Sequence, residues 1–330
     1  MNYIGSKIRL LPFIDETIRN VVEQDLYDKV FCDLFAGTGA VGRFYKNKVK
    51  TVISNDLEYY SYVILRHYIG NNKTIEGVQE AIDTLNNLPL IDNGFIYNNY
   101  CLGGRSGRQY FSDYNGQKID TIRTGIEKYK DNPDLYYLLL CSLIECADKL
   151  ANVASVYGAF LKHLKKSAQP NLILKPMDYT LTDNVHQVCQ EDANKLITKI
   201  SGDILYLDPP YNERQYGAYY HILNTIAEYK PFVPKGKTGQ REYNRSKYCV
   251  ERVIRHEFEE LIKNANFKYI FMSYNNEGLM SPDDIQTIMG KYGEYRCATK
   301  EYQRFKADRN ENRVHKAATT TEYLHILIKN

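Results

Sequence analysis

Val30 to Tyr45 reads VFCDLFAGTGAVGRFY, and its three parts have different backbone requirements. Val30–Phe35 is a short apolar run, AGTG closes it, and from Ala40 to Tyr45 the spacing suits a helix. Strand, glycine turn and helix in that order predict the first unit of an α/β sheet, with a ligand over the carboxyl end of the strand. Gly37 and Gly39 permit positive φ and close approach of a ligand to the backbone. Gly42 completes a G-x-G-x-x-G pattern, so a nicotinamide dinucleotide stands beside other nucleoside cofactors as an occupant. Asp56 would hold the ribose hydroxyls of either.

Working outward, TVIS (Thr51–Ser54) is β-branched and ends at Asn55-Asp56, which predicts a second strand. HQVCQED from His186, ILYLD from Ile204 and YIFMSY from Tyr269 read as further strands. Helices are expected through YYHILNTIAEY from Tyr219, over Glu251–Asn264, and after Ser281, which caps with Pro282 at the first position and Asp283 and Asp284 in the first turn. Tyr295–Ala298 and Tyr323–Ile328 predict the last strands. Strands alternating with helices imply a parallel sheet wound on both faces, which places Gly37, Gly39, Asp56, Asp192 and Asp208 along one rim.

Residues 62–179 break this alternation. They hold an amphipathic segment (Gly77–Leu88), a Gly/Arg/Tyr/Asn-rich patch (Asn98–Gly116) and a strongly apolar helix (Leu135–Leu150). An excursion of that length predicts a separate lobe.

The chain has 330 residues and 43% hydrophobic content, enough for a substantial core. No apolar run approaches the roughly 18 residues needed to cross a bilayer, and the N-terminus lacks the apolar core of a signal peptide, so a cytoplasmic protein with no membrane partner is expected. Seven scattered cysteines suggest reduced core thiols rather than a zinc ribbon or a disulfide framework. The seven histidines lack ligand spacing, and no metal is expected. The net charge of +3 is small, but its distribution is uneven. No acid lies between Asp148 and Asp178, where Lys149, Lys162, Lys165, Lys166 and Lys175 occur; from Lys230 to Lys247 six basic residues face the single acid Glu242. With 30 tyrosines and no tryptophan, two such clusters favour a polyanion with stackable bases.

The chemistry is concentrated in ILYLDPPYNERQY, Ile204–Tyr216. An amine conjugated with an aromatic ring has a delocalised lone pair and is a poor nucleophile toward a methylsulfonium. Acceptors that draw on its hydrogens localise that pair. Asp208 and the Pro209 carbonyl would supply two, and Pro209 and Pro210 restrict the backbone so that the carbonyl points outward. Tyr211 offers a flat face for a base removed from its stack.

NYIGSK (Asn2–Lys7), DLFAGTG (Asp33–Gly39), NDLE (Asn55–Glu58) and LDPPY (Leu207–Tyr211) resemble, in that order, the motifs of the alpha-ordered, Dam-like adenine-N6-specific DNA methyltransferases, and among them the type II restriction–modification methylases. The resemblance implies a class I S-adenosylmethionine-dependent methyltransferase fold, a Rossmann-like mixed seven-stranded sheet with an inserted target-recognition lobe. The catalytic domain would be 1–61 with 180–330, and the inserted domain 62–179. It implies that Tyr3, Gly5, Ser6 and Lys7 approach the methionine end of the cofactor, with Asp33, Phe35, Ala36, Gly37, Thr38 and Gly39 lining the pocket. Asp56 would bind ribose, Asp192 the cofactor adenine, and Asp208, Pro209, Pro210 and Tyr211 the target base. Ala193 stands where members often carry an aromatic residue. The tail EYQRFKADRN from Glu301 also resembles a subgroup of these enzymes.

A double-stranded DNA partner follows, with a cognate restriction endonuclease as a second. The lobe side chains expected near base edges are Arg105, Arg108, Gln109, Asn115 and Arg123. Lys162, Lys165, Lys166, Lys235, Lys237 and Arg241 are expected on phosphates. A monomer is expected, because an asymmetric target offers no two-fold axis to match. The rival readings are an adenine-N6 RNA methyltransferase, an NAD(P)-dependent oxidoreductase built on GTGAVG, and a non-catalytic DNA-binding protein.

Overall fold

A computed structural model describes residues 4–23, 25–303 and 319–330. Among them the strands are β1 (Val30–Asp33), β2 (Thr51–Asn55), β3 (Gln187–Cys189), β4 (Ser201–Leu207), β5 (Asn266–Asn275), β6 (Gly293–Gln303) and β7 (Thr319–Lys329). They form a seven-stranded sheet in the order β3-β2-β1-β4-β5-β7-β6. Pairing is parallel from β3 through β5, while β7 runs antiparallel to both β5 and β6. The sheet is therefore mixed, as the resemblance implied. The alternation of strands and helices predicted parallel pairing throughout, since that pattern carries no information on the direction of the last strand. Strand order reverses between β1 and β4, so the segments following these two neighbours flank the point where α/β sheets bind ligands.

In chain order the α-helices are α1 (Leu11–Val22), α2 (Ala40–Tyr45), α3 (Tyr59–Leu65), α4 (Val78–Asn86), α5 (Phe95–Tyr100), α6 (Asp113–Ile126), α7 (Pro133–Leu150), α8 (Ala193–Leu196), α9 (Tyr216–Tyr219), α10 (His221–Glu228), α11 (Glu251–Asn264) and α12 (Pro282–Met289). The chain divides into two compact units. The sheet unit takes Ser6–Leu57, Thr182–Gln215 and Asn244–Asn330; the second takes the residues up to Gly5, Glu58–Leu181 and Tyr216–Tyr243.

In the sheet unit, period-two alternation sends Cys32, Leu205, Leu207, Ile270 and Met272 into one core. Ile254, Phe258, Leu261 and Ile262 of α11 meet them there, spaced as one helical face, together with Ile285, Ile288 and Met289 of α12. Phe31 points the other way and stacks on Tyr45 of α2 at 4.3 Å. Ser281 caps α12 in a reciprocal box: its Oγ accepts from the Asp284 amide at 3.1 Å, and the Asp284 carboxylate accepts from the Ser281 amide at 2.9 Å.

The second unit is helical. α7 is apolar nearly all round and accordingly buried along most of its length. Tyr220, Ile222, Leu223, Ile226 and Ala227 complete the same core, which is why 216–243 joins this unit although the sequence keeps it with the sheet. α6 begins at Ser112, whose side chain accepts from the Asn115 amide.

Candidate active site

The strand ends of the sheet unit bring together most of the residues expected at the rim. Gly37 and Gly39 sit at φ +54° and +74°, conformations in which glycine is at no steric disadvantage. The loop so formed is fixed from two sides. The Gly37 amide donates to Asp56 Oδ2 at 2.8 Å, which ties the turn after β1 to the acid after β2. The Gly42 amide donates to Asp33 Oδ2 at 3.0 Å.

Asp33 is 1% exposed, so it supports the turn from beneath and does not line the pocket as expected. Burial, first of all, pushes its carboxyl up to about 7, helped by the charges of Asp208 and Asp56 and opposed by the Gly42 amide. Phe35, Ala36 and Thr38 are half-buried on the same loop.

Two residues that the sequence did not single out organise this corner. Asn55, 1% exposed, donates through Nδ2 to the carbonyls of Leu34 (3.1 Å) and Glu191 (3.0 Å), and its Oδ1 accepts from the Glu191 amide at 3.0 Å. One amide thus joins the loops after β1, β2 and β3. Its signal was its position, the last residue of β2, where a buried amide meets neighbouring strand ends.

Tyr248 is the other. Its hydroxyl donates to Asn194 Oδ1 at 2.8 Å and its ring meets Phe35 edge-on at 5.0 Å. It places an aromatic ring between the glycine loop and the turn at Asp192, where Ala193 itself is a buried core residue. No local pattern in the sequence pointed to it. Asp192 is exposed and caps α8, its Oδ1 accepting from the Lys195 amide at 3.2 Å.

β4 delivers Asp208. Tyr206, two residues earlier on the same face, is fully buried with its hydroxyl donating to Ser273 Oγ at 2.7 Å. Asp208 then leaves the core with 21% of its side chain exposed and receives Lys7 Nζ on Oδ1 at 3.0 Å. Lys7 is also 3.1 Å from Glu322 Oε1 on β7. Burial raises the Asp208 carboxyl to about 6; Lys7 pulls it down and Glu322 pushes it up. Burial alone would lower the Lys7 ammonium, but Asp208 and Glu322 together hold it well above its ordinary value. Pro209 is buried, Pro210 and Tyr211 are half-buried, and the Tyr211 carbonyl accepts from the Leu279 amide at 3.0 Å. The ring of Tyr211 packs against the sheet core.

Of the other residues expected toward the cofactor, Ser6 is half-buried beside Lys7, and Gly5, at φ +80°, belongs to the second unit. Tyr3 lies outside the described residues, as does most of the tail from Glu301.

The residues expected to read DNA separate into two groups. Asn115 is fully buried, with Nδ2 donating to the Pro170 carbonyl at 3.0 Å and Oδ1 accepting from the Leu172 amide at 2.8 Å. Arg123 is 3% exposed, donates to the carbonyls of Ile226 (2.9 Å) and Ala227 (3.0 Å), and pairs with Glu127. Neither can meet a base edge, because the lobe uses both to satisfy its own backbone.

Lys165 is likewise engaged, donating to the Val153 carbonyl at 2.7 Å. Arg241 pairs with Glu228 at 2.8 Å over the ring of Phe232. Arg105, Lys162, Lys166, Lys235 and Lys237 are exposed, and Gln109 is half-buried. Arg108 gathers part of this set by donating to the carbonyls of Gly236 (3.1 Å) and Lys237 (3.1 Å). The turn carrying Arg105 and the one carrying Lys235 and Lys237 are thereby one surface.

A mixed seven-stranded sheet with a glycine turn after β1, an acid after β2 and Asp-Pro-Pro-Tyr after β4 defines the Rossmann-like amino-methyltransferases. The family model for the D12 class N6 adenine-specific DNA methyltransferases matches residues 3–288. The chain belongs to that family and is an adenine-N6 DNA methyltransferase. It is 58% identical to the Type II methyltransferase M.NlaIII of Neisseria lactamica over all of this chain and 99% of that protein. It is 36% identical to the Type II methyltransferase M.CviAII of Paramecium bursaria Chlorella virus 1, with 93% of each covered. The Type II methyltransferase M.FokI of Planomicrobium okeanokoites is 37% identical over the whole of this chain and 53% of that protein.

Proposed function

We propose that the chain methylates an adenine flipped out of one specific sequence in double-stranded DNA, using S-adenosylmethionine, as the modification partner of a cognate restriction endonuclease. The observation that carries this reading is Asp208, ion-paired to Lys7 at the end of β4, beside the strand whose glycine turn is tied to Asp56.

S-adenosylmethionine supplies a methyl group already activated on a sulfonium. The residues present suit it. The turn at Gly37 and Gly39 admits a close nucleoside, Asp56 meets a ribose diol and Asp192 an adenine amine. The carboxylates at Asp56 and Asp208 make a field that favours a cation and opposes a diphosphate.

The target adenine would rest on Tyr211, with the N6 hydrogens accepted by Asp208 and the Pro209 carbonyl, so that the lone pair localises on nitrogen. The cofactor would supply the methyl group to N6 and keep the carbon–sulfur electron pair on sulfur, while Asp208 would take up the proton that N6 gives up. The exposed basic turns of the second unit would grip the duplex backbone. We take the acting species as a monomer, which light scattering of the enzyme with and without duplex tests.

The deciding experiment compares transfer of labelled methyl to duplex DNA and to ribosomal RNA, followed by mapping of the modified adenines. Label confined to adenines within one short duplex sequence is expected. Preferential labelling of RNA would overturn the proposal.

A further inference from the structure

Lys7 does not serve Asp208 alone. Its ammonium sits between two carboxylates, 3.0 Å from Asp208 Oδ1 and 3.1 Å from Glu322 Oε1, with side chains 8% exposed for Lys7 and 10% for Glu322. Glu322 comes from β7, where it is paired with Asn275 of β5 on one side and Lys300 of β6 on the other. Its Oε1 is shut away from solvent and takes no directed hydrogen bond, so the Lys7 charge is its compensation among the described residues.

A buried carboxylate is expensive to maintain, and a fully apolar side chain at this position would remove that cost. A Lys–Asp pair on its own, however, would neutralise the acceptor. An ammonium contacting only Asp208 would draw off the electron density that the adenine amine needs. A second carboxylate on the ammonium shares that pull and leaves the Asp208–Lys7–Glu322 group with a net negative charge. It also fixes the long Lys7 chain at both sides of its head.

We propose that Glu322 is a positioning residue for methyl transfer, holding Lys7 and offsetting its charge so that Asp208 remains a strong acceptor for the adenine amine. This rests on the reading of Asp208 as the group that receives the target base. The cost is sensitivity to acid, since Glu322 and burial both favour the protonated form of Asp208, which accepts fewer hydrogens. The other ionisable groups facing the cluster are Tyr206 of β4, Asp33 of β1, Tyr211 after β4, Glu277 after β5 and Lys300 of β6.

The test is the pH profile of single-turnover methyl transfer to duplex DNA, with saturating cofactor, for the wild-type enzyme, Glu322→Gln and Glu322→Asp. In Glu322→Gln the plateau rate should fall about tenfold and the acid limb should move down by about one pH unit, because Lys7 then acts on Asp208 alone. Glu322→Asp keeps the charge, so its acid limb should stay with the wild type while its plateau falls. The carboxyl carbon of Asp208, followed by NMR in each variant, should titrate with the same shift without any turnover.

An unshifted limb in Glu322→Gln, or a loss of rate equal at every pH, would overturn the proposal and leave the function reading intact. If the wild-type enzyme transfers methyl but the Asp208 carbon fails to titrate across the wild-type limb, the reading beneath it falls as well. Should Glu322→Gln not fold, Glu322→Asp and the wild-type Asp208 titration decide: a limb displaced in Glu322→Asp, or one that does not follow Asp208, counts against the idea.

Discussion

The sheet rim and the helical unit both contain buried polar side chains, but use them differently. At the rim the frame is a hydrogen-bonded ladder that fixes where each strand stops, so Asp56, Asp192 and Asp208 fall at strand ends by register. Asp56 and Asp192 each accept a nearby amide, from Gly37 and Lys195, and Asp208 receives the Lys7 ammonium instead. The helical unit has long connections outside regular structure, and its polar side chains replace the missing ladder. Asn115 closes the amides and carbonyls around Pro170 and Leu172, Arg123 covers the last carbonyls of α10, and Asp120 accepts from the amides of Ile96 and Tyr97 at 2.8 Å each. An Asn or Arg in a polar patch is therefore weak evidence for base reading where no ladder exists.

This contrast breaks most visibly at Arg123. Arg123→Ala strands the carbonyls of Ile226 and Ala227 and leaves Glu127 with Lys130 as its remaining cation, and should cost about 3–5 kcal/mol in urea unfolding. A variant of native stability with altered target sequence would return Arg123 to the reading surface. Asn55→Ala tests the rim in the same way. It should cost about 2–3 kcal/mol for its lost buried bonds and weaken cofactor binding, because three loops lose their common tie. Calorimetric titration with S-adenosylmethionine measures the second effect, and unchanged affinity would show that the loops hold without it.

A pH measurement sharpens the comparison further. The Asp33 carboxyl is raised in the folded state to about 7, from 3.8 when free. The folded protein therefore binds that proton more tightly than the unfolded chain does. The resulting stability is fully present below about pH 4 and is lost as pH rises through 7. Asp33→Asn keeps an acceptor for the Gly42 amide and removes this loss, so its stability relative to wild type should rise by up to about 4 kcal/mol between pH 4 and 8. A constant difference across that range would place the ionisation elsewhere. The smallest effect belongs to the exposed turn. Lys237→Ala should weaken duplex binding equally for all sequences and reduce the salt slope by about 1, checked by titrations at several salt concentrations.

Much of this frame was legible in the sequence. α2 and α11 have the bounds their periodicity predicts, and the Ser281 cap forms with its Asp284 partner. The glycine turn, Asp56 and Asp208 were legible because strand-end chemistry is local. α6 was hidden: its inward face carries Asn115, Lys118, Asp120, Thr121 and Arg123, so apolar periodicity is broken by residues that are nonetheless buried. Asn55, Tyr248 and Glu322 were missed for a different reason. Each acts through a partner distant in sequence, and no spacing rule connects Glu322 to Lys7.

The central claim is that Asp208 activates the adenine amine while the glycine turn and Asp56 hold the cofactor. Its most direct test is Asp208→Ala, assayed both for labelled methyl in N6-methyladenine from duplex DNA and for S-adenosylmethionine affinity. Transfer should fall about a thousandfold or more, with cofactor affinity changed no more than a few fold. Transfer at near the wild-type rate, or loss of cofactor binding together with transfer, would contradict it.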